Sequence, residues 1–91
     1  MEWEDVSVRS RDPSVYVIDI AEMRMRVHTL EGGDRNRWFL STFNPRLFDR
    51  KLLKSKDIEK AKYEALMLVR DRANEIRLGV TTVLMRGGNN E

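Results

Sequence analysis

Apolar and polar residues alternate strictly along MRMRVHTL, residues 23–30, and this is the clearest local pattern in the chain. Methionine and valine occupy one side of the alternation, while Arg24, Arg26 and His28 occupy the other. A period of two residues is typical of a strand with one buried face. The pattern therefore predicts a strand that turns its apolar side towards a core and its basic side away from it.

The sequence after this strand predicts a hairpin. Residues 31–34 read EGGD, and the glycines can adopt positive φ without steric cost, which favours a turn. The segment RWFLSTF, residues 37–43, is rich in aromatic residues and is expected to form the returning strand. Asn44 and Pro45 are expected to end it.

Further strands are predicted upstream. The run VYVIDI, residues 15–20, has strand composition, and VSV, residues 6–8, could form a short edge strand, with RDPS at 11–14 as the turn between them. No glycine or proline lies between Ile20 and Met23. These two runs could be joined by a tight turn or form one bent strand, and we expect the turn.

The period changes after residue 57, where apolar residues recur at helical spacing. This spacing predicts one long helix whose apolar stripe lies against the sheet. The stripe consists of Ile58, Ala61, Ala65, Leu68, Val69, Ala73 and Ile76. Ser55 is expected to cap the helix, and Gly79 to end it. The segment VTTVLM, residues 80–85, then has strand composition.

The order of elements predicts an α+β fold: an antiparallel sheet of three to five strands, one long helix at about 56–78 on one face, and a short C-terminal strand. Residues 1–85 are expected to form a single domain. The tail RGGNNE, residues 86–91, has no apolar anchor and is expected to be flexible.

Composition excludes several kinds of site. The chain has no cysteine, so disulfides, thiolate metal sites and cysteine nucleophiles are excluded. His28 is the single histidine, and no suitable carboxylate cluster accompanies it, so we expect no metal and no cofactor. No apolar run approaches the roughly 20 residues of a membrane span, and the N-terminus is acidic where a signal peptide would be basic. We expect a cytoplasmic protein without a membrane partner.

Charge is distributed unevenly although the formal net charge is only +2. Residues 1–34 contain 4 basic and 8 acidic residues, and residues 35–62 contain 9 and 3, giving −4 and +6. Residues 63–91 are balanced at 4 and 4. A basic middle third can attract an anionic partner even when the whole molecule is nearly neutral.

The hairpin carries the first candidate site. If Trp38 and Leu40 face the helix, the opposite face combines cations with aromatic rings, an arrangement that holds single-stranded nucleic acid. The candidate residues on this face are Arg24, Arg26, Arg37, Phe39 and Phe43, and His28 and Ser41 lie beside them. A slip of one residue would exchange the two faces. The alternative is an ordinary solvated face, with both phenylalanines covered by residues 44–54.

The linker and the helix start carry the second candidate site. Free N–H groups at a helix N-terminus and nearby cations both favour phosphate. The cations are Arg46, Arg50, Lys51, Lys54, Lys56 and Lys60. Asp57 and Glu59 lie in the same turns and would oppose a phosphate. The lysines could therefore instead balance carboxylates on a solvated surface.

The segment SKDIEKAKYEAL, residues 55–66, follows three strand-like runs and resembles the end of a double-stranded RNA-binding domain. The resemblance implies a lysine-rich helix start that crosses the phosphates of a groove. That family also has a preceding helix and a Gly-Pro-x-His loop, and this sequence has neither. We therefore do not assign the chain to it.

The far side of the predicted helix offers a different surface. Tyr63, Leu66, Met67 and Arg70 share helical spacing and have the composition of a protein interface. The alternative is that another segment of the chain covers them.

Nothing in the sequence resembles a nucleophile motif, so we expect no enzyme.

Two hypotheses follow. The first is a small non-enzymatic nucleic-acid-binding module, with single strands favoured, that uses the hairpin face and the basic helix start. The alternative is a protein-binding adaptor or inhibitor, for example a small accessory protein of a virus or mobile element. It would act through the helix and a sheet edge, and a homodimer is a further candidate assembly.

Overall fold

The fold is given by a computed structural model, which describes residues 2–7 and 14–87. The elements along the chain are β1 (Glu4–Asp5), β2 (Val15–Ile20), β3 (Met23–His28), β4 (Phe39–Phe43), β5 (Lys51–Leu52) and α1 (Ile58–Gly87). The strands form one antiparallel five-stranded sheet in the order β1-β2-β3-β4-β5, and α1 packs against it. The predicted α+β fold, with a sheet and one long helix, is confirmed.

A tight turn joins β2 to β3, as expected. Ile20 pairs with Met23, so only Ala21 and Glu22 lie between the strands. Ala21 has a φ of 56°, in the left-handed region that an L-residue with a side chain adopts at a cost. This short connection fixes which residues of the two strands share a face.

The connection between β3 and β4 is longer than the predicted turn. Gly33 N–H donates to the carbonyl of Leu30 at 2.9 Å, and Arg37 N–H donates to that of Asp34 at 3.1 Å. Gly32 supplies a φ of 74° in the first of these turns. Two successive turns therefore replace the single one, and β4 begins at Phe39 rather than at residue 37.

Both edges of the sheet differ from expectation. The first edge strand is β1, at residues 4 and 5 rather than 6–8, although Val6 N–H still bonds to the carbonyl of Val15. Residues 8–13, which include most of the predicted RDPS turn, lie outside the described residues. The other edge is β5, inside the stretch interpreted as a linker. Leu53 N–H extends its pairing by donating to the carbonyl of Trp38 at 2.8 Å.

The core lies between the sheet and the first three turns of α1. Met25, Val27 and Leu40 are fully buried on the sheet side, and each such side chain stabilises the fold by about 1.5–3 kcal/mol. Ala61 and Ala65 face them from the helix and are also fully buried. Two alanines at this interface allow the helix to approach the sheet closely.

The helix begins two residues later than predicted because a different residue caps it. Asp57 accepts a hydrogen bond from Lys60 N–H at 3.1 Å through its side chain and one from Ala61 N–H at 2.8 Å through its backbone. Ser55 does not cap α1; its hydroxyl and N–H donate to the carboxylate of Glu64 instead.

The helix also ends later than predicted, and the predicted strand at 80–85 is wrong. α1 runs through Gly79 to Gly87. The backbone of this segment is satisfied within the helix, and the hydroxyls of Thr81 and Thr82 donate to the carbonyls of Arg77 and Leu78 at 2.9 Å each. Residues 88–91 of the predicted tail lie outside the described residues.

The second half of α1 extends beyond the sheet. Every residue from 70 to 86 is exposed, including Ala73 and Ile76, which the apolar stripe predicted to lie against the sheet. The sheet is too short to reach them. The radius of gyration is 16.1 Å, compared with about 12 Å for a compact domain of this length. We call residues 70–87 the projecting segment.

Candidate nucleic-acid interface

The register of β3 and β4 determines what the outer face of the sheet, the side away from α1, displays. Arg24 pairs with Phe43, Arg26 with Ser41 and His28 with Phe39. Directly paired residues lie on the same face of a sheet. The one-residue slip is therefore excluded, and the predicted combination of arginine and phenylalanine lies on the outer face, while Leu40 and Trp38 are buried on the helix side.

Two arginine side chains lie close to the Phe43 ring. The Arg26 guanidinium carbon is 5.6 Å from the centre of the Phe43 ring, and that of Arg46 is 5.2 Å from it. Both distances suit cation–π attraction, worth about 0.5–1 kcal/mol at an exposed site. Arg26 comes from β3 and Arg46 from the loop after β4, so the ring joins two separate parts of the chain.

A hydrogen-bonded cluster supports the other ring of this face. His28 stacks on Phe39 with ring centres 6.2 Å apart. Because a carbonyl oxygen can only accept, His28 Nδ1 donates to Thr29 O, at 3.0 Å, and Nε2 then accepts from the Ser41 hydroxyl at 2.9 Å. Ser41 Oγ also accepts from Arg50 N–H at 3.1 Å, which ties the loop to the sheet.

The environment of His28 favours its neutral form. Burial lowers the pKa of His28, and the positive charges of Arg26 and Arg50 lower it further, against the hydrogen bond to Thr29 O, which raises it. At neutral pH the arginines therefore supply the positive charge of this cluster.

A second group of cations lines a groove beside β5. The groove has a volume of about 570 Å³ and no carboxylate among its lining residues. We call it the basic groove, and its cations are Arg37, Lys51, Lys54 and Lys56. Asn36 adds an amide that can donate or accept a hydrogen bond.

The floor of the basic groove is held in place from below. The Glu64 carboxylate accepts hydrogen bonds from the N–H groups of Lys54, at 2.8 Å, and Ser55, at 2.9 Å. Partial burial raises the pKa of Glu64, but these hydrogen bonds outweigh it, so the net shift is downwards. Trp38 Nε1–H donates to the carbonyl of Lys56 at 2.8 Å. The lysine backbones are thus fixed while their ammonium groups extend into solvent.

The outer face and the basic groove are contiguous. Arg37 lines the basic groove and also a depression of about 350 Å³ that reaches Phe39. This depression is completed by Leu30, Gly33 and Asp34, so one carboxylate lies along the path. A continuous surface therefore runs from Phe43 past Phe39 and Arg37 to the lysines.

Two of the predicted cations lie beside carboxylates that compete with a phosphate: Arg24, although it is on the outer face next to Phe43, and Lys60, on α1. Arg24 donates to the Asp19 carboxylate at 2.8 and 3.1 Å, and this side-chain hydrogen bond lowers the pKa of Asp19 and raises that of Arg24. Lys60 lines a depression on α1 together with Glu59 and Glu64. Asp57 occupies the Lys60 N–H, so the helix N-terminus is not the free anion site that the sequence suggested.

The residues predicted as a protein interface are divided. Tyr63 is 65% exposed and borders a depression of about 500 Å³ together with Met67. Leu66 instead packs against the core, which corrects its assignment to an exposed patch. Arg70 is exposed and pairs with the adjacent Asp71 at 3.2 Å.

The alternation along β3 and β4 predicts His28 and Ser41 on the outer face beside the candidates, and both residues lie there. Asn36 is the residue that the sequence analysis missed. The second turn of the β3–β4 connection, which the sequence did not predict, brings it to the basic groove. Its N–H bonds to the Asp34 side chain at 2.8 Å.

Two other kinds of site are absent from residues 2–7 and 14–87. No group of three histidine or acidic side chains there could hold a metal ion. No helical segment among these residues combines the length and the apolar composition needed to cross a bilayer. Comparisons with protein-family profiles, curated proteins and solved structures gave no match.

Proposed function

We propose that this protein is a small, non-enzymatic nucleic-acid-binding module that prefers single strands. The observation that carries the proposal is the Phe43 ring with Arg26 and Arg46 close to it, on a surface continuous with the basic groove. Bases would stack on the phenylalanine rings of the outer face, and the phosphates would follow the cations towards β5.

The chemistry of the surface supports single strands over duplexes. In a duplex the faces of the bases are covered by their neighbours, whereas a single strand can offer them to Phe43 and Phe39. Stacking on an aromatic side chain is worth about 1–3 kcal/mol per base and depends little on sequence. The described surface has few groups that could read base edges, so we expect weak sequence specificity.

The test is a fluorescence anisotropy titration with labelled single-stranded and duplex DNA and RNA at two salt concentrations. Binding should weaken steeply as salt rises, because cations on DNA and RNA are released on binding. Phe39→Ala with Phe43→Ala should reduce single-strand affinity by about tenfold or more and duplex affinity by less. Tyr63→Ala is the control, since this ring is exposed on the helix away from the surface.

A matched pair of charge variants separates geometry from total charge. Lys54→Glu with Lys56→Glu should weaken binding to every oligonucleotide. Lys60→Glu with Arg70→Glu changes the net charge equally but lies outside the outer face and the basic groove, and it should have a much smaller effect. Equal losses in the two pairs, or no binding by the unmodified protein at low salt, would contradict the proposal.

A protein-binding adaptor remains the second candidate. It is supported by the exposed Tyr63 ring beside the depression that Met67 borders on α1. Binding to an apolar surface of this kind should be almost indifferent to salt. Tyr63→Ala with Met67→Ala should then abolish capture of a protein partner while leaving oligonucleotide binding unchanged.

A further inference from the structure

The projecting segment exposes a row of large apolar side chains. Val69 is the last buried residue of α1. Beyond it, Ile76 is 41% exposed, Val80 52%, Val83 66% and Leu84 67%. Contiguous apolar surface of this kind on a soluble chain marks an interaction site.

The sequence of this segment is also a poor helix former in isolation. Gly79 is followed by the β-branched run 80–83, and both features disfavour a helix in water. Helices in proteins owe most of their stability to packing of an apolar face. The projecting segment has no such packing within the described chain, so a partner that buries its stripe would stabilise it.

The spacing of the stripe identifies the partner. Val69, Ala73, Ile76, Val80 and Val83 are separated alternately by four and three residues, which is the seam of a coiled coil. The seam is symmetric about residue 78: Ile76 and Val80 are equally distant from it, and so are Ala73 and Val83. In an antiparallel pair of identical helices, a large side chain would thus meet a small one in the Ala73–Val83 layers. We propose that two copies of this chain associate through antiparallel pairing of their projecting segments.

The position of the sheet selects the antiparallel arrangement. The sheet packs on the same side of α1 as the seam, through Ala61, Ala65 and Val69. In a parallel pair the two sheets would occupy the same space beside the seam. In an antiparallel pair they lie at opposite ends, and Gly87 of one helix reaches Val69 of the other, where the sheet begins. The free seam, about 27 Å long, is therefore filled by one partner segment.

Charge determines how tight this dimer can be. Arginines flank the seam on both sides, and the carboxylates Asp71 and Glu75 lie on the far side of the helix. Arg70 and Arg72 are partly balanced by these carboxylates, at 3.2 and 2.8 Å. Repulsion between the two copies remains, so the dimer should strengthen as salt screens it. This is the opposite of the salt dependence expected for nucleic-acid binding. The dimer and the nucleic-acid-binding function can therefore be disproved independently.

The association should be weak, because a seam of this length buries less than a standard interface of about 800 Å² per partner. Sedimentation velocity should detect a monomer–dimer equilibrium as protein concentration rises from about 10 µM to 1 mM, shifted towards dimer in high salt. Val80→Asp should abolish the dimer while leaving the thermal unfolding of the monomer unchanged. A monomer at every concentration and salt would overturn the proposal and leave the seam to another partner.

The absence of cysteine allows the pairing to be mapped directly. Gly79 lies beside the proposed two-fold axis, and a Cβ added there meets nothing within 4 Å. Gly79→Cys should form disulfide-linked dimers rapidly under mild oxidation. Leu78→Cys, on the far side of the helix, is the matched control and should stay monomeric. Equal cross-linking of both variants, or preferential cross-linking of Ala73→Cys, which meets itself only in a parallel pair, would contradict the antiparallel arrangement.

Discussion

The two faces of the sheet are built from the same strands but differ in almost every property. Leu40 is fully buried against the helix, whereas its neighbour Phe39 is half-buried on the outer face beside His28. On β3, Met25 is fully buried and Arg26, the next residue, is exposed. One register therefore determines both the core and the candidate site, and any change of register would destroy both.

The largest expected effect separates adjacent residues of β4. Leu40→Ala should lower the free energy of unfolding by about 2–5 kcal/mol, because it removes a fully buried side chain and leaves a cavity. This corresponds to a fall in Tm of about 10–30 °C. Phe39→Ala should cost much less stability and should instead weaken oligonucleotide binding. Thermal unfolding followed by circular dichroism measures both variants; similar losses would show that the two faces are not distinct.

A smaller loss of stability is expected at Thr42, which holds the loop after β4 from the helix side of the sheet. The buried Thr42 hydroxyl oxygen accepts hydrogen bonds from the N–H groups of Leu47, at 2.6 Å, and Phe48, at 3.1 Å. Thr42→Val keeps the shape but removes the acceptor, and should cost about 1–3 kcal/mol. Thr42→Ser keeps the hydroxyl and should be much closer to the wild type. Urea unfolding of the pair tests this, and equal losses would rule out a role for the hydroxyl.

The turn that sets the register gives an effect of the opposite sign. Ala21 has a φ of 56°, where glycine is tolerated without steric cost. Ala21→Gly should therefore raise the free energy of unfolding by about 1 kcal/mol. The same substitution at Ala73, in exposed helix, should lower it by about 1 kcal/mol. Differential scanning calorimetry compares the two, and a destabilised Ala21→Gly would contradict the turn geometry.

The smallest expected effect is a pH dependence confined to the outer face. Burial lowers the pKa of His28 below its ordinary 6.5, so the unfolded chain binds a proton more readily than the folded one. The stability due to neutral His28 is fully present above about pH 6.5 and is lost as pH falls through the folded pKa. Tm should therefore fall between pH 7.5 and 5.5, and His28→Gln should reduce this change. An unchanged slope in the variant would assign it to other groups.

The local hydrophobic pattern was enough to predict the elements that bury one face against the core. The alternation around Met25 gave the strand and its two faces, and the stripe through Ala61 and Ala65 gave the first half of the helix. Gly79 misled because a glycine that ends many helices can also lie inside one when the following residues still bond to the preceding turn. Two-residue β5 carries too little pattern to be recognised.

The sequence predicted which cations belong to the candidate site. It could not predict which of them would lie beside carboxylates. Arg24 is neutralised by Asp19 because the β2–β3 register makes them direct partners, which depends on the Ala21–Glu22 turn. Lys60 is separated from the other lysines because Asp57, rather than Ser55, begins the helix and so sets the direction of every later side chain. Both outcomes depend on where a turn or a helix begins to within one or two residues. The composition of the sequence does not determine this.

The hydrogen bond from the Trp38 indole to the Lys56 carbonyl makes Trp38 an intrinsic fluorescent probe of the basic groove. Trp38 is 7% exposed and its ring is tilted against Tyr16 at 6.0 Å, so its fluorescence depends on the segment between β5 and α1 that carries Lys56. Trp3 packs against the same core, with the Lys62 ammonium 5.9 Å from its ring centre, and Trp3→Phe would remove its emission. In that variant, a change in emission wavelength on adding an oligonucleotide would follow occupancy of the groove without any attached dye.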